Sequence, residues 1–461
     1  MNSSSAHSTK AYSFVLQSAA MQKHPRFTAV MMFAVVVLFA GSLSGYAAAP
    51  DDWADSAFLP PSVPESLDAA AAAVLLDAET GAVLYAHNRD EVMPPASLVK
   101  LIVMNALLDE VAEGRLGLYQ DIPIPPEAWA QNAPPRSSLM FLGPGQRVSL
   151  HELLLGLAIP SGNDAAVAAA LLLEDSVPAF VERVNRDLAD RGYRYTRLVE
   201  PSGYSRDNTT TAEEFARFAR SYVLRHPEAI ERYHAVRQFG YPQLENLLHG
   251  NNEHVIMQQN YNRLLWIMPE ADGLKTGTIP SVGFNLAATA RRDGRRLIAV
   301  VLGVQADTPQ EGNNLRAEVS RDLLEYGFRE FTAAEPRLPD PGMVRLYGAS
   351  QPQLPLYIDA PWARQATEGG PVPIMVPVEL AGSIQAEYEI HRRIRGAVPA
   401  GAVLGRIVFT AGGQEVFQAP IRAGDSAAAG RWWQRLRDWF RLLWERLQGQ
   451  PWPALLYDLS I

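Results

Sequence analysis

At 461 residues the chain is too long for one ordinary core, and its 48% hydrophobic and 20% charged side chains are ordinary for a globular protein of two or three domains. The formal net charge of −9 and the lack of any long basic stretch exclude a nucleic-acid partner. The absence of cysteine excludes disulfides and thiolate metal sites.

In chain order, the first signal is a leader. Lys23 and Arg26 precede the apolar run Phe27–Ala40, followed by Gly41–Tyr46 and the small residues Ala47, Ala48 and Ala49. A positive flank, an apolar run and an A-x-A-like site form the pattern of an export signal. The run is short of the roughly 20 apolar residues that a membrane span needs. An uncleaved anchor is the alternative, and Met21 would start a leader of more usual length. Residues 1–49 are therefore set apart as an export signal.

Residues 50–66 are rich in Pro and Asp and read as a loose lead-in. Residues 70–88 predict a hairpin around Ala78-Glu79-Thr80-Gly81. Residues 97–112 and 149–173 have helical period. Thr211 with Glu214 predicts a capping box opening a helix through about Leu224. Residues 283–304 return to strand around the turn Arg292-Asp293-Gly294-Arg295, and 315–331 predict an amphipathic helix. An antiparallel sheet with helices before and after it is an α+β arrangement, here over residues 50–332. Residues 333–424 read as a small all-β domain, with a hairpin of Arg406–Thr410 and Gln414–Pro420 across Gly412-Gly413.

Residues 425–461 differ again. Trp432, Trp433, Leu436, Trp439, Phe440, Leu443, Trp444 and Leu447 fall within an arc of about 140° on a helix. Five arginines (431, 435, 437, 441 and 446) against Asp438 and Glu445 give 5 − 2 = +3. Tryptophans on a cationic helix suit a membrane interface, so residues 430–448 are expected to lie on a membrane surface. A helix docked on the protein's own surface is the alternative.

The chemistry starts from lysine usage. Of 41 Lys plus Arg only four are lysine: Lys10, Lys23, Lys100 and Lys275. Beyond the leader, only positions 100 and 275 use it. Ser97 and Lys100 are spaced i, i+3 and would share one helix face. A serine hydroxyl needs a base to take its proton. Lysine can be that base when burial lowers its pKa, and arginine cannot, because guanidinium keeps its proton. Alone, S-x-x-K is a weak motif. Two more follow in order: Ser161-Gly162-Asn163 at a turn opening a helix, and Lys275-Thr276-Gly277 at a strand start. That ordered set is shared by penicillin-binding proteins and serine β-lactamases.

With Arg136–Val148, Asn262–Trp266, Asp272–Gly277 and Gly283–Ala290, the chain resembles the low-molecular-mass D-alanyl-D-alanine carboxypeptidases of the penicillin-binding protein 5 type, closely over residues 70–331. The resemblance implies a transpeptidase-like α+β domain, a β-rich second domain and a C-terminal amphipathic helix on the outer face of the cytoplasmic membrane. It implies catalytic roles for Ser97, Lys100, Ser161 and Asn163. It implies substrate contacts from Lys275, Thr276, Gly277, Thr278 and Ser137, with no cofactor and no metal. The implied substrates are peptidoglycan stem peptides ending in D-Ala-D-Ala, with β-lactams as inhibitors. Relatives often carry His-Thr after lysine-threonine-glycine, where this chain has Thr278-Ile279. They often carry Arg in an N-R-N-G segment, where this chain has Asn260-Tyr261-Asn262-Arg263. Carboxylate recognition is therefore expected to be rearranged, through Arg263 or another arginine. Three readings stay open beside this one: a D,D-endopeptidase, a serine β-lactamase, for which no E-x-x-L-N deacylation segment is found, and a non-catalytic muropeptide- or penicillin-binding module.

Overall fold

The structure is a computed structural model and describes residues 63–247, 254–334, 340–359 and 374–455. The expected leader and most of the lead-in lie outside the described residues.

The first hairpin forms from β1 (Ala72–Asp77) and β2 (Val83–His87). Asp77 builds its turn, one carboxylate oxygen accepting from the Thr80 amide and hydroxyl, both at 2.8 Å. Three later strands complete the sheet: β3 (Ala271–Ile279), β4 (Gly283–Arg292) and β5 (Arg295–Val304). The order is β2-β1-β5-β4-β3, antiparallel throughout. Between β4 and β5, Asp293 (φ 51°) and Gly294 (φ 84°) both adopt the left-handed region. That pair of conformations matches the twist of a two-residue hairpin.

Successive strand side chains point to opposite faces, and here both faces are buried. Ala72, Val74 and Leu76 join a core shared with helices α1 (Val99–Ala112), α2 (Leu150–Ala158), α3 (Asn163–Leu173) and α4 (Ala212–Arg225). Ala73 and Leu75 join a second core against α5 (Pro309–Glu330). The sheet is thus the middle of three layers.

Helix boundaries follow local chemistry. The helical stretch 149–173 breaks between Ala158 and Asn163. Pro160 offers no amide donor there, and Ser161 takes φ 58°. The capping box expected at α4 is half-formed. Thr211 accepts from the Glu214 amide at 3.1 Å. The Glu214 carboxylate instead accepts from the amides of Arg194, Tyr195 and Thr196. A complete box caps α2, where Ser149 and Glu152 satisfy each other's amides. Helix α5 starts at Pro309, earlier than position 315, because Thr308 caps it by accepting from the Glu311 amide at 3.2 Å.

After α5 the chain is sheet-rich. β6 (Phe331–Ala334) pairs with β9 (Ile374–Pro377). A seven-stranded sheet contains β7 (Met343–Tyr347), β8 (Gln353–Ile358), β10 (Ile384–Ile390), β11 (Arg393–Arg395), β12 (Val403–Ala411), β13 (Gln414–Ala423) and β14 (Ala454–Leu455). Their order is β10-β12-β13-β8-β7-β11-β14. Its own core gathers Val344, Leu354, Ile407, Phe409 and Ile421. The expected β12–β13 hairpin turns at Gly412 (φ 58°) and Gly413 (φ 82°).

Helix α6 (Trp432–Leu447) packs on this region by an edge opposite in character to the usual one. Asp438 and Leu442 are its buried residues, while Trp432, Trp439, Phe440 and Trp444 are exposed. Among the described residues no helix is long and apolar enough to cross a membrane.

Candidate active site

Ser97 sits in a tight turn, Ala96–Leu98, that runs into α1. The residue before it, Ala96, takes φ 53°, a left-handed conformation that costs an alanine roughly 1 kcal/mol or more. Packing holds it there. A Cβ added to Gly203 would lie 2.1 Å from the Ala96 carbonyl oxygen, and one on Gly277 would lie 2.7 Å from that of Pro95. Asn285 fixes the preceding residue, its amide group donating to the Pro94 carbonyl at 3.1 Å.

One turn on, Lys100 is buried. Its Nζ lies 3.0 Å from Ser97 Oγ and 2.8 Å from Asn163 Oδ1, and it donates to the Ser202 carbonyl as well. Burial pushes its pKa down to about 7, against the opposing pull of Glu200 and Asp164. Near neutrality a large share of Lys100 is therefore an amine with a free lone pair next to the serine hydroxyl. Glu200 anchors the turn that brings up Ser202, accepting from the amides of Ser202 (2.7 Å) and Gly203 (2.8 Å).

The helix break at 159–162 delivers the second motif. Asn163 bridges the site, with Oδ1 on Lys100 and Nδ2 donating to Ser137 Oγ at 3.0 Å. Among the described residues Ser161 Oγ is buried without a hydrogen-bond partner, so its hydrogen-bonding capacity is in reserve. Asp164 holds the loop that carries Ser137. Its carboxylate accepts from the amides of Met140 (2.8 Å), Phe141 (2.8 Å) and Leu142 (3.0 Å).

Strand β3 forms the opposite wall. Lys275 and Thr276 are buried and Thr278 is exposed. Lys275 Nζ donates to the Thr276 carbonyl at 3.0 Å. Burial, then the neighbouring charges of Lys100 and Arg316, push its pKa well below the usual lysine value. Gly277 lets the strand run against the nucleophile, since a Cβ there would sit 3.1 Å from the Ser97 amide nitrogen.

Arg263 and a second arginine, Arg316, differ in where the fold places them. Arg263 is exposed at the start of a short helix, Leu264–Ile267, and among the described residues its side chain forms no hydrogen bond or ion pair with those above. Arg316, from α5, is buried and reaches β3. It donates to the Gly277 carbonyl and to Thr278 Oγ1, both at 3.0 Å, and more weakly to the carbonyls of Asn285 and Tyr261, both at 3.4 Å. None of these partners is a carboxylate. Burial lowers its pKa to about 9, so it stays charged at neutral pH. No motif marks Arg316. Its sole signal in the sequence is an arginine on the apolar side of an amphipathic helix. Among the described residues no group of His, Asp and Glu is arranged to hold a metal ion.

Comparison with known proteins agrees with this geometry. A family profile described as D-alanyl-D-alanine carboxypeptidase matches residues 61–306. The chain is 30% identical over 417 residues to D-alanyl-D-alanine carboxypeptidase DacD of Salmonella typhimurium, spanning 89% of this chain and 98% of that protein. It is 29% identical over 383 residues to DacC of Escherichia coli, spanning 82% of this chain and 88% of that protein. The crystal structure of penicillin-binding protein 5 from Haemophilus influenzae superposes with a TM-score of 0.64 at 26% identity, over 80% of this chain and 99% of that one. With the profile covering more than half the residues, the chain belongs to the D-alanyl-D-alanine carboxypeptidase family, whose members are serine peptidases.

Proposed function

We propose that this chain removes the terminal D-alanine from peptidoglycan pentapeptide stems through an acyl-enzyme on Ser97. The observation that carries the reading is the buried amine of Lys100, 3.0 Å from Ser97 Oγ and with a pKa near 7. Lys100 takes the hydroxyl proton as Oγ bonds to the penultimate carbonyl carbon. The amide nitrogen of the last residue leaves with a proton delivered through Ser161, whose hydroxyl is free to relay it. Asn163 keeps Lys100 and Ser137 in place. The amides of Ser97 and Thr278 are the donors for the developing oxyanion. Water then cleaves the ester, returning Ser97 and its proton.

The substrate ends in a carboxylate. Lys275, Thr276, Gly277 and Thr278 form its wall, and Arg316 supplies the cation through Thr278, in the place considered for Arg263. A buried guanidinium that, among the described residues, has no acidic partner supports that assignment. β-Lactams, which mimic D-Ala-D-Ala, acylate the same serine.

Residues 50–332 are the catalytic domain and 333–424 a small β-rich domain. The leader pattern of residues 1–49 supports export, and the exposed tryptophan face of residues 430–448 supports peripheral attachment to the outer face of the cytoplasmic membrane. The test is D-alanine release from a pentapeptide, with fluorescent penicillin labelling in parallel. Wild type should release D-alanine and take the label, and Ser97→Ala should do neither. Labelling without D-alanine release would point to an endopeptidase or a binding module, and rapid turnover of penicillin to a β-lactamase.

A further inference from the structure

Helix α6 is fastened to the sheet-rich region at three places. Before it, Ala429 bridges Ala349, and the Gly430 amide donates to the Gly348 carbonyl at 2.9 Å. A Cβ on Gly430 would come within 2.6 Å of the Ala349 carbonyl oxygen, so the chain enters the helix pressed against the end of β7. Along the helix, Asp438 accepts from the Gly348 amide at 2.8 Å. Glu445 accepts from the Tyr347 hydroxyl at 2.9 Å and from the Arg393 guanidinium. Beyond it, Arg393 donates to the Pro451 carbonyl at 2.8 Å and β14 pairs in parallel with β11.

The docking edge is the wrong one for a helix held by its apolar stripe. Asp438, Leu442 and Glu445 recur at helical spacing and form one line facing the protein. Both carboxylates of the helix are thereby turned inward. The five arginines of residues 431–446 are all exposed, together with the tryptophan face. The surface turned to solvent is apolar and cationic, complementary to an anionic lipid bilayer. A flexible tether would not need fastenings at both of its ends.

We propose that α6 is a rigid footplate that stays docked while it lies on an anionic bilayer, with Asp438 and Glu445 as positioning residues that hold the enzyme in one attitude over the membrane. This rests on the membrane attachment proposed above and adds how the body is held once attached. Leaving the dock would break the Ala349–Ala429 bridge, the β11–β14 pairing and the Glu445–Arg393 pair. Proximity of low-dielectric lipid strengthens that pair.

The chain has no cysteine, so two can be introduced cleanly for spin labels. In the full mature chain, Glu387→Cys on β10 and Gln448→Cys after α6, both exposed positions, report the distance between sheet and helix. Vesicles of phosphatidylethanolamine with phosphatidylglycerol are the membrane probe, and flotation measures binding. The expected result is one narrow distance distribution, the same in buffer and on vesicles. Asp438→Asn with Glu445→Gln should float equally well and release D-alanine from a soluble pentapeptide as wild type does, but lose the narrow distribution on vesicles. A wild-type distribution that broadens on vesicles would overturn the footplate while leaving membrane attachment standing. So would a narrow distribution in the double variant. A wild type that does not float, with its narrow distance intact in buffer, would instead remove the membrane attachment on which the footplate rests.

Discussion

Lys100 and Lys275 are buried amines in a sequence that, beyond its leader, otherwise uses arginine, and both are held well below the usual lysine pKa. For Lys100 the chemical consequence has a definite sign. The neutral amine is the active form, so acylation of Ser97 by penicillin should rise as pH increases through about 7 and then level off. Lys100→Arg keeps the charge but cannot lose the proton, and should lower the acylation rate by about two to four orders of magnitude and abolish that rise. Stopped-flow labelling across pH checks both. The same shifts act on stability. Between about 7 and the usual lysine value near 10.4, the unfolded chain binds protons that the folded chain does not, so unfolding free energy should increase with pH across that window. Urea unfolding at two pH values within it measures the slope, and Lys100→Met or Lys275→Met should flatten it. A flat wild-type curve would mean that both lysines stay protonated when folded. Arg316 carries a third expectation. Arg316→Gln should cut kcat/KM on the natural pentapeptide by about tenfold to a hundredfold, the loss of one charge-assisted hydrogen bond, while a C-terminally amidated peptide is affected far less. Equal losses on both peptides would show that Arg316 only props β3.

At the scale of elements, the nucleophile is placed by a turn that two glycines make possible. Gly203 stands at φ 79°, and any Cβ there would meet the Ala96 carbonyl and the Ser97 amide, both backbone and unable to yield like a side-chain tip. Gly203→Ala should therefore displace Ser97 from Lys100. The expected loss in acylation is at least about a hundredfold, since misplacement of about 1 Å can cost that much, and the melting temperature should fall as well. Normal acylation in that variant would show that the turn tolerates a shift. These relations also mark what could be read in advance. The three motifs and their order were legible because each is short and local, as were the hairpins around Gly81, Asp293-Gly294 and Gly412-Gly413. Glu214 departs from the local capping pattern because its carboxylate serves a loop about 18–20 residues away, which no local pattern encodes. The roles of Asp164 and Arg316 are not legible in the sequence for a related reason. Their partners, the amides of 140–142 and the carbonyls of β3, come together only in the folded chain. Helix α6 was legible as amphipathic, but a pattern of apolar residues cannot say that the acidic edge does the docking.

Across the whole molecule, the fold places two functional features on one chain: a candidate site whose residues come from α1, α3 and β3, and an aromatic, cationic face on α6. The hydrogen bonds of Asp438 and Glu445 that dock α6 run along a different edge of the helix. Trp432 is 76% exposed and Trp444 64%, while the docking contacts run through Asp438, Leu442 and Glu445. Removing the tryptophans should thus separate attachment from folding, which truncating the chain before Gly430 would not, since truncation also deletes β14 and uncovers Tyr347. Each large side chain buried in a bilayer interface contributes up to about 1.5–3 kcal/mol. Trp432→Ser with Trp439→Ser and Trp444→Ser should then weaken binding to anionic vesicles by at least about two orders of magnitude, at 1.4 kcal/mol per tenfold. Melting temperature and D-alanine release from a soluble pentapeptide should stay at wild-type values, because all three side chains are exposed and the docking hydrogen bonds run through Asp438 and Glu445. Flotation with titrated lipid measures the first quantity. Equal binding by wild type and the triple variant would mean that arginines alone, or no membrane at all, account for the outward face of α6. Raised salt then decides between those two, since purely electrostatic binding fades as the Debye length shrinks.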